Sequence, residues 1–135
     1  MKDLKLFGPL VGRILIALIF LLAGFGKLTG FEGTVAYISS KGLPLPQLAA
    51  VGAIIVELGG GIMLVVGWKT RLAAAVILIF TAATALFFHN FWSVPPEQAQ
   101  NQMIHFLKNI SMMGGLLYVV IHGAGALSLD GSDKK

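Results

Sequence analysis

Glu57 is the residue of this 135-residue chain whose position points most directly to chemistry. It lies near the middle of an apolar stretch, about residues 47–67, that contains no other charge. If that stretch spans a membrane, an unpaired carboxylate there is costly, so the group must be protonated, ion-paired or in contact with a polar cavity. A carboxyl held in this way could relay a proton. The alternative is a structural ion pair.

His105, Lys108 and Asn109 form a second polar group. Their spacing of three and four residues places them on one face of a helix. From that face they could donate hydrogen bonds to a carbonyl oxygen of a bound ligand. Capping of a helix start at the membrane interface is the alternative for His105 and Asn109.

Arg13 and Lys27 lie at the two ends of one stripe along the first apolar segment. Basic residues near helix ends usually extend to the membrane interface, but either of these could turn inward. As the partner of Glu57 we expect Lys108 first, Arg13 second and Lys27 third. This order rests on the depth that each side chain would reach.

Mostly small residues share the predicted helical face of Glu57, namely Ala50, Ala53, Gly60, Gly61 and Leu64. Small residues let a neighbouring helix approach closely. The face is therefore expected to be buried, either within one bundle or between the subunits of a homo-oligomer.

Neither a metal nor a nucleic acid is expected as a ligand. The chain has no cysteine, and its three histidines (His89, His105 and His122) lack metal-binding spacing and fall toward opposite ends of the apolar segments. The net charge is +4, but the ten basic residues are scattered, whereas a phosphate-binding surface needs clustered charge. No phosphate-loop, dinucleotide-binding, nucleophile-elbow or zincin motif is present.

Four apolar segments must position these residues. They cover about residues 10–28, 47–67, 72–92 and 103–127, and each has roughly the 20 residues that cross a bilayer as a helix. Only 12% of the residues are charged, against about 25% in a soluble domain. The sequence therefore predicts an all-α, polytopic membrane four-helix bundle that forms a single domain over residues 1–135, with loops at 29–46 and 93–102.

The distribution of basic residues predicts the orientation in the lipid bilayer. With four spans both termini share one side with the tight turn at 68–71. That side collects most of the basic residues: Lys2, Lys5, Arg13, Lys69, Arg71, Lys134 and Lys135. The positive-inside rule then makes both termini cytoplasmic. The polar tail from residue 130 to 135 is expected to fray.

Six ordered segments resemble the DoxX family of small four-helix bacterial inner-membrane proteins. They are Gly12-Arg13, residues 20–27, residues 57–60, Gly67 with Thr70-Arg71, residues 106–109 and residues 123–130. The resemblance implies a four-helix bundle and an association with quinone-linked redox chemistry. Some members are the membrane subunit of thiosulfate:quinone oxidoreductase; others are linked to catechol or quinone detoxification, or to oxidative-stress complexes in mycobacteria. Members with cysteine pairs carry out thiol chemistry, which this cysteine-free chain cannot.

These observations predict a redox-associated membrane protein that holds a quinone or another small aromatic ligand in the outer half of the bundle. Glu57 would relay a proton to the ligand. The candidate ligand-binding residues are Lys108, His105, Asn109, Arg13 and Lys27. Since no flavin, haem or iron–sulfur motif is present, electrons would come from a soluble or membrane redox partner or from a diffusible donor.

Whether the chain is an enzyme is left open by its sequence. The alternative is a non-enzymatic membrane protein, either an assembly subunit or a small-solute carrier, in which Glu57 and Lys108 form a structural ion pair.

Overall fold

The computed structural model describes residues 1–131, and within that range the chain forms five helices. They are α1 (Lys2–Thr29), α2 (Phe31–Ser40), α3 (Pro46–Val66), α4 (Thr70–Phe88) and α5 (Pro96–His122). The helical segments of α1, α3, α4 and α5 are long and apolar enough to cross a membrane. The prediction of an all-α, polytopic four-helix membrane bundle is confirmed.

The helix bounds differ from the predicted spans at several places: α1 begins at Lys2 rather than near residue 10, and α4 ends at Phe88 rather than near residue 92. The connection at 29–46 was expected to be a loop, but it contains α2, which follows Gly30 directly. Ten residues are too short for a membrane span, so the apolar length that reveals the other helices gives no signal here. Helix α5 begins at Pro96 rather than near residue 103 and ends at His122 rather than near residue 127.

Helix α3 packs between α1 and α4, and adjacent glycines serve the two contacts. A Cβ atom at Gly61 would lie 2.7 Å from Cδ2 of Leu21 on α1, and one at Gly60 would lie 2.8 Å from Cδ1 of Ile77 on α4. Helix α5 packs along α4 and meets α1 over a shorter stretch. The small-residue face of α3 is therefore used for packing within one bundle.

Arg13 closes the terminal end of the bundle, which we define as the end that holds the start of α1 and residues 123–131. Its side chain is 1% exposed. Nη1 donates hydrogen bonds to the carbonyls of Leu64 (2.8 Å) and Val65 (3.1 Å), and Nη2 donates to that of Leu127 (2.5 Å). Arg71 donates in the same way to two carbonyls in the last turn of α5. The final carbonyls of a helix lack partners within the helix, so these guanidinium groups satisfy them.

Asp130 is part of the same closure. Its carboxylate accepts hydrogen bonds from the backbone amides of Lys69 (2.7 Å) and Thr70 (2.8 Å) and from the Thr70 hydroxyl (2.6 Å) at the start of α4. Burial disfavours its charge, but these hydrogen bonds and nearby Arg13 outweigh that effect and lower the pKa of Asp130. The expectation of a frayed tail is wrong for Asp130, because it caps a helix; residues 132–135 lie outside the described range.

Replacing Asp130 by alanine should reduce the free energy of unfolding by about 1 kcal/mol, the usual cost of losing a helix N-cap. Thermal unfolding in detergent measures this change, with Asp3→Ala as the control because Asp3 is exposed and near the N-terminus. Since folding lowers the pKa of Asp130, its contribution is present at neutral pH and is lost as pH falls through the folded-state value. The difference between wild type and Asp130→Ala should therefore shrink in acid; a difference independent of pH would contradict this role.

Candidate functional site

A cavity of about 540 Å³ lies in the half of the bundle opposite the terminal end, which we call the loop end. All five helices contribute to its wall, and α2 covers it with Thr34, Tyr37 and Ile38. Most of the lining is apolar, with five aromatic residues: Phe20, Tyr37, Phe80, Phe87 and Phe88. Five of the six candidate residues line this cavity: Lys27, Glu57, His105, Lys108 and Asn109. Arg13 does not, because its guanidinium caps α3 at the other end.

Lys27 is the partner of Glu57. Its Nζ donates a hydrogen bond to Oε1 at 3.0 Å and lies 2.8 Å from Oε2. The Glu57 residue is 5% exposed, and its Oε2 lies against the Lys27 ammonium but accepts no well-aligned hydrogen bond from residues 1–131. The expectation that Lys108 would pair with Glu57, with Arg13 next, is therefore wrong.

Close packing of α1 against α3 explains this pairing. A Cβ atom at Gly24 would lie 3.0 Å from the Cβ of Glu57 and 2.8 Å from the Cγ of Leu58. Gly24 thus brings the two helices together one turn before Lys27, on the same stripe. Glu57 itself lies in a π-helical turn, Ile55–Gly59, which interrupts the α-helical hydrogen bonding of α3. Such turns are frequent at functional sites.

Lys108 lines the cavity from the side of α5. Its side chain is exposed, and within residues 1–131 it forms no hydrogen bond or ion pair. Lys108 shares the cavity wall with the ion pair but takes no part in it, so its ammonium remains available to another group.

Asn109 is buried and already engaged. Its Nδ2 donates to the carbonyl of Thr81 (3.2 Å) and to the hydroxyl of Thr84 (3.1 Å) on α4. Both N–H groups of this amide are therefore used to join α5 to α4, and the carbonyl oxygen is the part left for a ligand. Thr81 and Thr84 were missed in the sequence, although their spacing of three residues in an apolar helix is a signal for one polar face.

His105 contacts His89 in the wall of the cavity. The two imidazole rings stack with centroids 5.1 Å apart, and Nδ1 of His89 lies 3.0 Å from Oε1 of Gln102. Within the described part of the chain, no group of three or more His, Asp or Glu residues is arranged to hold a metal ion. The two imidazoles supply nitrogen atoms that can form hydrogen bonds in this part of the cavity wall.

The DoxX family model matches residues 8–90. The chain is 41% identical to inner membrane protein YphA of Escherichia coli (strain K12) over 121 residues, which cover 90% of this chain and 86% of YphA. It is 39% identical to inner membrane protein YqjF of the same strain over 130 residues, 96% of this chain and 95% of YqjF. A Surfeit locus protein 4 homolog of Drosophila melanogaster is 28% identical over 133 residues, which cover 97% of this chain and 43% of that protein. No solved structure matches the chain.

Gly24→Ala should destabilise the bundle by about 1–3 kcal/mol, because the added methyl group overpacks the contact between α1 and α3. The control is Gly26→Ala on the same helix, where an added Cβ meets nothing within 4 Å. That change should stay within about 0.5 kcal/mol of wild type. Thermal unfolding of both variants in the same detergent tests the prediction, and equal effects would show that the close approach at Gly24 is unimportant.

A double-mutant cycle should find coupling between Glu57 and Lys27. Glu57→Gln and Lys27→Met are each expected to destabilise the protein. Breaking a buried ion pair costs roughly 3–5 kcal/mol. Here the loss should be near or below the lower end of that range, because the Lys27 side chain is 30% exposed. The double variant should lose less than the sum of the two, because neither residue is then left unmatched. Lys108→Met combined with Glu57→Gln should be additive; coupling there instead would restore Lys108 as the partner.

Proposed function

The chain belongs to the DoxX family and is a multi-pass membrane protein, and from this premise we propose that its cavity binds a small, lipid-soluble aromatic ligand of the quinone class. One observation carries the proposal: an apolar cavity lined by aromatic side chains also contains the polar groups that a ring with carbonyl oxygens needs. A volume of about 540 Å³ falls within the usual range for small-molecule sites. Aromatic walls favour a flat ring, because they stack on its faces or meet its edge.

The polar side chains have different proposed roles. Lys108 and His105 donate hydrogen bonds to carbonyl oxygens of the ring, since neither side chain has a hydrogen-bond partner among residues 1–131. Asn109 is a positioning residue, because both N–H groups of its amide hold Thr81 and Thr84.

Glu57 is the proposed proton relay. Its carboxyl lies in the wall of the cavity, where it meets a bound ring directly. Lys27 contacts both oxygens and fixes the orientation of the carboxyl. A carboxyl positioned in this way can exchange a proton with a ring oxygen as the ring is reduced or oxidised.

Electrons for such a reaction come from outside this chain in our proposal. The protein would act as the quinone-binding membrane subunit of a redox system, with a soluble or membrane partner as the electron source. We place it in a bacterial inner membrane with both termini cytoplasmic, so that the cavity lies in the outer half. The relatives named as inner membrane proteins support that membrane, and the excess of basic residues at the terminal end supports the orientation.

A second candidate function is that of a non-enzymatic assembly subunit. The Lys27–Glu57 pair favours it, because a buried ion pair beside a close helix contact can serve to fix helix register alone. This alternative requires no ligand in the cavity, so ligand occupancy separates the two functions.

Filling the cavity should remove the ligand. Ala83 lines the cavity from α4, whereas its neighbour Ala82 does not, so Ala83→Leu is the test and Ala82→Leu is the matched control. Organic extraction of detergent-purified protein followed by mass spectrometry should recover about one quinone per chain from wild type and from Ala82→Leu, and much less from Ala83→Leu.

A different result would favour the assembly subunit. This is the case if the extracts contain no quinone above the level in an unrelated membrane protein and if added 1,4-naphthoquinone fails to bind. Glu57→Gln tests the relay on the protein that remains folded: if Glu57 relays a proton, this fraction keeps the ligand in the same extraction but loses the redox reaction, which is measured separately.

A further inference from the structure

The cavity carries one positive charge that the protein does not balance. Among the described residues, the ionisable groups in its lining are Lys27, Tyr37, Glu57, His89, His105 and Lys108. Lys27 and Glu57 neutralise each other, which leaves Lys108 as the remaining lysine of the lining, beside two imidazoles and a phenol. The ammonium of Lys108 is therefore the excess charge.

The depth of Lys108 makes that charge significant. The apolar part of α5 begins near residue 103, after the mostly polar residues 97–102, so at 1.5 Å per residue Lys108 lies about 8 Å inside it. A cation at this depth in a membrane-spanning helix is costly unless an anion or water compensates it. Within residues 1–131 no carboxylate lies within ion-pair distance of Lys108.

The position of Lys108 in the wall indicates where a compensating group could enter. Helices α1 and α5 meet only over a short stretch, where Gly115 approaches Ile16. On the loop-end side of that contact, Ile19 of α1 and Lys108 of α5 line the cavity and are exposed. The cavity wall is therefore accessible from outside the bundle between α1 and α5, and Lys108 lies on that side.

Resting on the proposed function, we infer that the ligand is an acidic ring: the cavity binds the anionic form of a lipid-soluble quinone or phenol that carries an ionised hydroxyl, and Lys108 holds its oxygen anion. The ring lies among the aromatic side chains, and its anionic oxygen points to Lys108. No covalent or redox step is needed for this recognition.

Charge explains why an anion is preferred to a neutral ring of the same size. The ammonium forms a charge-assisted hydrogen bond with either ring, but only an anionic oxygen adds the attraction between two opposite unit charges, which the apolar surroundings screen weakly. The other ammonium, that of Lys27, offers no such gain because Glu57 already neutralises it. Selectivity for the anion is thus assigned to Lys108 alone.

Two naphthoquinones of similar size test this inference on the purified full chain. 2-Hydroxy-1,4-naphthoquinone is ionised at neutral pH, and 2-methoxy-1,4-naphthoquinone is neutral. Wild type should bind the hydroxy compound at least about tenfold more tightly in a calorimetric titration. Lys108→Gln should bind both about equally, whereas Lys108→Arg should keep the preference. Lys5→Gln, which removes an exposed cation outside the cavity, is the charge control and should behave as wild type.

The outcomes separate this inference from the proposed function. Equal affinity of wild type for the two compounds would overturn the acidic ligand and leave quinone binding intact. A preference that persists in Lys108→Gln would overturn the assignment to Lys108. Failure of wild type to bind either compound would count against quinone binding itself. Lys108→Arg is the control for misfolding, because it changes the same position but keeps the charge. If this variant keeps the preference, its loss in Lys108→Gln is due to the missing charge.

Discussion

The ion pair between Lys27 and Glu57 is the interaction on which the loop-end half of the molecule depends. In a bilayer a buried carboxylate has no water to solvate it, so the helices must bring it a cation. Gly24 allows this because the absence of a side chain lets α1 lie against α3 beside Glu57. The ion-paired carboxyl of Glu57 lines a cavity that is otherwise mostly apolar. The same contact thus holds the bundle together and creates a polar point within it.

The two ends of the bundle differ in how their polar groups are used. The terminal end is closed, because the side chains of Arg13, Arg71 and Asp130 form hydrogen bonds with the backbone at helix ends. At the loop end α2 covers a space that the spanning helices leave unfilled. A rigid frame at one end and a lined cavity at the other is the arrangement expected when a site must be positioned by a small bundle.

This division gives a physical meaning to the family segments. Three of the six segments meet at the terminal end: Gly12-Arg13, Gly67 with Thr70-Arg71, and residues 123–130. There Gly67 has a positive φ of 70°, and Arg13 and Ser128 leave no room for a side chain on it. Residues 20–27, 57–60 and 106–109 contribute side chains to the cavity wall or pack beside it. Half of the pattern therefore maintains the frame, and the other half forms the candidate site.

The sequence by itself determined the membrane-spanning helices, since an apolar segment of that length forms few other structures. It also determined which faces of α1 and α3 are buried, since helical periodicity places their small and polar residues on one face. It also identified five residues that line the cavity. Only the tertiary structure decided that Lys27 rather than Lys108 pairs with Glu57, that Arg13 caps α3, that α2 exists and that Asn109 joins α4. The reason is that each of these depends on how closely particular helices approach one another. A long basic side chain can reach several acceptors at similar depth, and helix packing selects among them.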